Sequence, residues 1–215
     1  MSLAAPHLSA TGLSKQFGRR VLFRDLALRL EGGETLAITG ANGSGKSTLL
    51  QVLAGLQAPS AGTVRLALGE REVEREDQPL HMGFVAPYLN VYDEFTAREN
   101  LAFIAQARRQ RGAEERISAL LARVGLGGRE DDFVRSFSSG MRQRVRFAAA
   151  LLAEPSVLLL DEPGSNLDAP GRALVEDLVH SQRQRGGIVV IATNAEHEAA
   201  LCAARLGLGD EAVAA

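Results

Sequence analysis

Thr35-Leu-Ala-Ile-Thr39, then Gly40-Ala41-Asn42-Gly43-Ser44-Gly45-Lys46-Ser47-Thr48, then Leu49-Leu-Gln-Val-Leu-Ala-Gly-Leu56 is the stretch that decides the fold. The first five residues are short, apolar and β-branched at both ends, which reads as a strand. Leu49, Leu50, Leu53 and Leu56 recur at helical spacing. Between strand and helix lies G-x-x-x-x-G-K-S, a spacing with a physical purpose. Glycines let backbone N–H groups wrap phosphate oxygens, and the start of the helix adds a favourable dipole. Lys46 is placed for the β- and γ-phosphates, and the Ser47 hydroxyl for Mg²⁺. At this chain's own residue frequencies the pattern would arise by chance only about 0.002 times. The chain has two lysines, Lys15 and Lys46, against 24 basic residues in all, so a lysine at this position is informative.

Working outward, Leu8–Leu13, Leu22–Leu30 and Thr63–Leu68 read as strands of an N-terminal antiparallel β region, and Gly69–Pro79 as a charged loop. From Thr96 to Val124 the periodicity is helical, and a second helix is expected over Ser138–Ala153. Continuous apolar runs then return at 157–160 and 188–193, separated by a helix over Pro170–Arg185. Buried strands alternating with helices imply a mostly parallel sheet. The expected fold is therefore α/β: a P-loop NTPase core over residues 1–215, forming one nucleotide-binding domain. The block 96–152 is expected to be a helical subdomain inserted in it.

Val157-Leu158-Leu159-Leu160-Asp161-Glu162 is a buried strand ending in two acids. Beside a phosphate loop, Asp161 suits Mg²⁺, and Glu162 suits a general base that orients and deprotonates an attacking water. Between the loop and this strand lies Phe137-Ser138-Ser139-Gly140-Met141-Arg142-Gln143-Arg144-Val145, in which Ser138 is a good helix N-cap. Glycine loop, this segment and Asp161-Glu162-Pro163 with Leu167-Asp168, in that order, resemble the ATP-binding-cassette (ABC) ATPases over nearly the whole chain.

The resemblance implies ATP and Mg²⁺ as cofactors, with hydrolysis driving a membrane transporter. It implies Gly40, Ala41, Asn42, Gly43, Ser44, Gly45, Lys46, Ser47 and Thr48 around the phosphates, and Phe17 as the aromatic stacking on adenine. Ser138, Ser139 and Gly140 correspond to the family's signature loop, which meets ATP held by a second copy. The partners implied are thus a homodimer and a separate transmembrane permease subunit. Two positions depart from the family pattern. The expected glutamine falls near Ala86-Pro87, with Asn90 the nearest amide. The expected switch histidine after Thr193 is Asn194, placed to sense the γ-phosphate or to cap the helix beginning at Ala195. Segment 84–103 holds five of the ten aromatics; Phe84 and Phe103 are expected in the core, and Tyr88 and Tyr92 at the permease contact.

Composition narrows the function classes. With 46% hydrophobic residues over 215, the chain can bury a core without disulfides, and its single cysteine can form no internal one. A net charge of −2 carries no footprint for nucleic-acid binding. No apolar run approaches the ~18–20 residues of a membrane span, and no leader is visible. The expected location is the cytoplasmic face of the cell membrane, peripheral through the permease. Small size, the segment Tyr92-Asp-Glu-Phe-Thr-Ala-Arg-Glu-Asn-Leu101 and the Ser-Ser-Gly-Met signature resemble the heme-exporter ATPases of cytochrome c maturation. Small drug and lipid exporters share these features. A soluble ABC ATPase acting on DNA or the ribosome is disfavoured, because neither a coiled-coil insertion nor a second cassette is visible.

Overall fold

The structure is a computed structural model describing residues 5–110 and 112–209. Two sheets of different construction flank the helix that follows the glycine loop. The first is antiparallel, in the order β2 (Arg20–Glu31), β1 (Pro6–Phe17), β4 (Ala61–Leu68), β5 (Arg71–Glu72). The second runs β6 (Met82–Val85), β7 (Val157–Asp161), β8 (Ile188–Ala192), β3 (Thr35–Thr39), β9 (Ala204–Gly207), and every neighbouring pair is parallel.

The parallel strands are covered on both faces, and the alternation of side chains sorts each strand between two cores. Val157, Leu159, Ile188 and Val190 pack with α1 (Lys46–Leu53) and the inner face of the antiparallel sheet, including Leu8, Leu13 and Leu66. Leu158, Leu160, Val189 and Ile191 point the other way. They pack against α2 (Ala97–Ala107), α3 (Glu114–Arg123), α4 (Ser139–Leu151) and α5 (Ala169–Gln184). Continuous apolar runs are therefore required here, because neither face meets water.

Local signals set the helix boundaries. Thr96 and Glu99 form a reciprocal capping box at the start of α2. Asp168 caps α5, accepting from the Gly171 N–H at 2.9 Å, with Pro170 in the first turn. The expected helical stretch 96–124 is broken into α2 and α3, with Arg109 in a left-handed conformation at φ 56° between them. Two strands carry no strong sequence signal. β6 and β9 have only four residues each and are defined by their pairing with β7 and β3. The charged stretch after Gly69 is not wholly loop: Arg71–Glu72 closes a short hairpin with β4.

Phe103 corrects an expectation. It is 45% exposed rather than buried, because α2 turns Leu101 and Ala105 inward and leaves Phe103 on the outer side. There it meets Tyr92 edge-on, with ring centroids 5.2 Å apart. Phe84 is partly buried against the core.

Candidate active site

Because its strands run in the same direction, the parallel sheet delivers its C-terminal ends to one rim, where ligands of open α/β sheets bind. β3 leads into Gly40–Gly45, β7 ends on Asp161, β8 leads into Thr193 and Asn194, and β6 into Ala86 and Pro87. Asp161 pairs in register with Ala192, and Ala192 with Ile38 on β3. The acid therefore stands one strand away from the glycine loop.

The loop has glycine where nothing else fits. At Gly40, φ is 138°, and a Cβ would lie 2.2 Å from the Leu208 carbonyl oxygen. Gly45, at φ 104°, stands immediately before α1, which has no side-chain cap. Lys46 is 5% exposed. Its ammonium donates to the carbonyls of Gly40 (2.7 Å) and Ala41 (3.2 Å) and makes no ion pair among the described residues. Ser44 Oγ is buried without a hydrogen-bond partner. A cation without a carboxylate, an orphan hydroxyl and uncapped N–H groups together make a fitting cradle for phosphate. Ala41, Asn42 and Gly43 form its exposed crest, and Ser47 and Thr48 are part-buried in the first turn of α1.

Asp161 is 3% exposed. Burial pushes its carboxyl above the usual carboxylate range; the nearby Ser47 hydroxyl opposes that shift, as does the charge on Lys46, while neighbouring Glu162 adds to it. A buried carboxylate beside a hydroxyl is an oxygen pair suited to a hard divalent cation. Glu162 follows in the left-handed region at φ 44°, a conformation non-glycine residues keep only where neighbours enforce it. Its own N–H donates to the Ala192 carbonyl at 2.8 Å.

Asn194 is exposed and reaches the loop: its Nδ2 donates to Asn42 Oδ1 at 2.5 Å. Asn194 does not cap α6 (Glu196–Ala199): the residue at the cap is Ala195, and no side chain caps this helix. Thr193 Oγ1 accepts from the Ala195 N–H at 2.9 Å, a turn bond ahead of the helix. His197 is exposed on α6. Ala86 is buried and Pro87 exposed, and Asn90 lines an apolar groove with Leu89 and Val91.

The remaining expected residues lie apart from this cluster. Ser138 and Ser139 are exposed and Gly140 part-buried at the start of α4, and Ser138 Oγ accepts from the Met141 N–H at 3.3 Å. Among the described residues, no hydrogen bond or ion pair joins them to residues 40–48. Phe17 is half exposed at the end of β1, with the Lys15 ammonium 4.8 Å from its ring centre. What ties this edge to the loop is Arg20, whose guanidinium donates to the Gly43 carbonyl at 2.7 Å. Sequence reasoning missed Arg20, since one arginine among so many carries no local signal.

With the geometry in place, comparison with known proteins is direct. A family model described as ABC transporter matches residues 23–165. The chain belongs to the ABC transporter family. A cytochrome c biogenesis ATP-binding export protein, CcmA, of Pseudomonas syringae pv. tomato is 40% identical over 197 residues, covering 90% of this chain and 91% of the relative. The lipoprotein-releasing system ATP-binding protein LolD 2 of Rhodospirillum rubrum is 36% identical, covering 97% and 96%. A solved ATP-binding subunit of an ABC transporter superposes with a TM-score of 0.83 at 26% identity, over 94% of this chain and 85% of that one. This ABC protein is thus the ATP-binding, ATP-hydrolysing subunit of a transporter. No helix among its described residues is long and apolar enough to cross a membrane.

Proposed function

We propose that two copies of this chain close head to tail over ATP, each nucleotide held between Lys46 and the loop of one copy and Ser138-Ser139-Gly140 of the other. The observation that carries this reading is the separation just described. The start of α4 presents the exposed Ser138 and Ser139 with no hydrogen bond or ion pair, among the described residues, to the chain's own loop, which favours a γ-phosphate meeting both across an interface. Mg²⁺ would be held by the Ser47 hydroxyl and Asp161, where it supplies neutralisation of phosphate charge. Lys46 exchanges its loop carbonyls for phosphate oxygens. Glu162 orients water and accepts its proton, and Asn194 turns from Asn42 toward the γ-phosphate. Phe17 offers a ring face to adenine.

The whole chain acts as one nucleotide-binding domain, with residues 96–152 as the helical part that moves when the dimer closes. The mutual packing of α2, α3 and α4 in one apolar cluster supports their moving together. The permease docks beside them, at the cytoplasmic face of the membrane. The apolar groove containing Leu56, Phe84, Leu89 and Ile104 supports this, as do the exposed rings of Tyr88 and Tyr92.

Replacing Glu162 with glutamine removes the base and leaves the fold. In ATP and Mg²⁺ the variant should elute as a stable dimer; elution only as monomer overturns the sandwich.

The cargo reading is heme export for cytochrome c biogenesis, supported by CcmA relatives at 35–40% identity. The LolD likeness, at nearly full coverage, supports lipoprotein release as the second reading. Deleting the gene in its native cell separates the two. Loss of covalently heme-stained c-type cytochromes with lipoprotein sorting intact supports heme export, and the reverse pattern supports lipoprotein release.

A further inference from the structure

One peptide unit joins α4, α6 and the residue after Asp161. The Pro163 carbonyl accepts from the Gln143 side-chain amide at 3.3 Å. The Gly164 N–H of the same unit donates to Glu198 Oε1 at 2.7 Å. In a trans peptide these groups point to opposite sides, so the amide is gripped from both. Gln143 lies on α4, five residues after Ser138; Glu198 lies on α6, four residues after Asn194; Pro163 directly follows Glu162. The second oxygen of Glu198 accepts from the Thr193 hydroxyl, and Gln143 Oε1 accepts from Arg146 at 3.0 Å. Both gripping side chains are buried, at 3% and 4% exposure. There is no slack at the junction: a Cβ on Gly164 would lie 2.3 Å from the Glu198 carboxylate.

We propose that Gln143 and Glu198 are positioning residues that clamp the Pro163–Gly164 amide and thereby hold Glu162 in its left-handed, hydrolysis-ready conformation, coupling the start of α4 to the Asn194 loop. The chemistry gives the reason. A left-handed glutamate relaxes unless the chain on both sides is fixed. Upstream, the Glu162 N–H is held by the Ala192 carbonyl. Downstream, the Ser165 N–H to Glu162 carbonyl and Leu167 N–H to Gly164 carbonyl turn bonds, each at 3.1 Å, fix the path together with this clamp. Glu198 makes no ion pair among the described residues. Its two buried oxygens accept from one N–H and one hydroxyl, so both are spent on the chain around Glu162 and Asn194. A shift of α4 at its N-terminal contact would reach the base through a single amide.

The inference rests on Glu162 being the base, and the test separates the two claims. Steady-state ATP hydrolysis and melting are measured on the full chain carrying Gln143→Leu, Glu198→Ala, Glu198→Gln or Glu162→Gln. The clamp predicts that Gln143→Leu and Glu198→Ala lower kcat roughly ten- to a hundredfold, the scale of a misplaced catalytic group, with KM for ATP little changed. Glu198→Gln, whose amide can accept from Gly164 and donate to Thr193 Oγ1, should restore most of kcat. Gln143→Leu decides the matter if Glu198→Ala fails to fold. Cooperatively melting Gln143→Leu with wild-type kcat, while Glu162→Gln is inactive, overturns the clamp alone. Turnover persisting in Glu162→Gln overturns the base assignment, and the clamp with it.

Discussion

The starts of α1 and α4, the two proposed phosphate contacts, treat their N–H groups in opposite ways. At α1, no side chain caps the helix, and Lys46, the orphan Ser44 hydroxyl and the Ser47–Asp161 pair gather around the gap. At α4, Ser138 closes part of the gap itself. Arg142, in the first turn, donates to the Arg135 carbonyl and lies 3.5 Å from Asp93. In the proposed dimer the first start is the anion site within one chain, and the second is the donor surface that meets the partner's nucleotide.

The comparison breaks most visibly at Lys46. Lys46→Ala removes the only lysine near the loop and should abolish ATP hydrolysis, with melting without nucleotide little changed. Full turnover in the purified variant would show that the uncapped start of α1 does not hold phosphate.

Asp161→Asn should also stop Mg²⁺-dependent turnover, but with a gain elsewhere. The Asp161 carboxyl is raised by burial, so the fold favours its protonated form. That contribution to stability is complete below the ordinary carboxylate range, and it is lost as pH rises through the raised folded value. At neutral pH without metal, the asparagine variant should therefore melt above the wild type, each kcal/mol relieved appearing as ~2–4 °C in Tm. The gap should narrow toward acid pH. Equal melting at all pH values would remove burial as the cause.

Ser138→Ala sharpens the α4 side. Loss of a cap costs ~0.5–2 kcal/mol, and the long 3.3 Å bond places this one toward the lower end. If Ser138 also meets the partner's nucleotide, turnover should fall about tenfold or more, as for other lost transition-state donors. A drop in Tm with unchanged turnover would leave it a cap and nothing else.

The smallest effect is expected at Asn194. Asparagine donates a neutral hydrogen bond where a histidine could carry charge. That difference is worth roughly 1–2 kcal/mol, or about five- to thirtyfold in rate. Asn194→His should raise turnover within that range and introduce a titration near pH 6–7. Asn194→Ala should lower turnover severalfold with Tm unchanged, since Asn194 is exposed and caps no helix. Lost stability with unchanged turnover would end its role at the phosphate.

What the sequence determined by itself was whatever a contiguous segment can encode. The glycine loop, the buried run ending in Asp161 and Glu162, the Ser138 cap and the continuous apolar runs that demand a two-sided sheet are all local patterns. Spacing within ten residues sets them, whatever the rest of the chain does. Only the tertiary structure decided the pairings. Asn42 meets Asn194 across 152 positions, Arg20 meets Gly43 across 23, and Glu198 meets Gly164 across 34. The strands β6 and β9 exist through the neighbours they pair with, and Phe103 faces outward because α2 spends its inward face on Leu101 and Ala105. A polar side chain has no periodicity to betray its partner. Its partner follows from which strand ends the parallel sheet brings to one rim, and that ordering is set by packing over the whole chain.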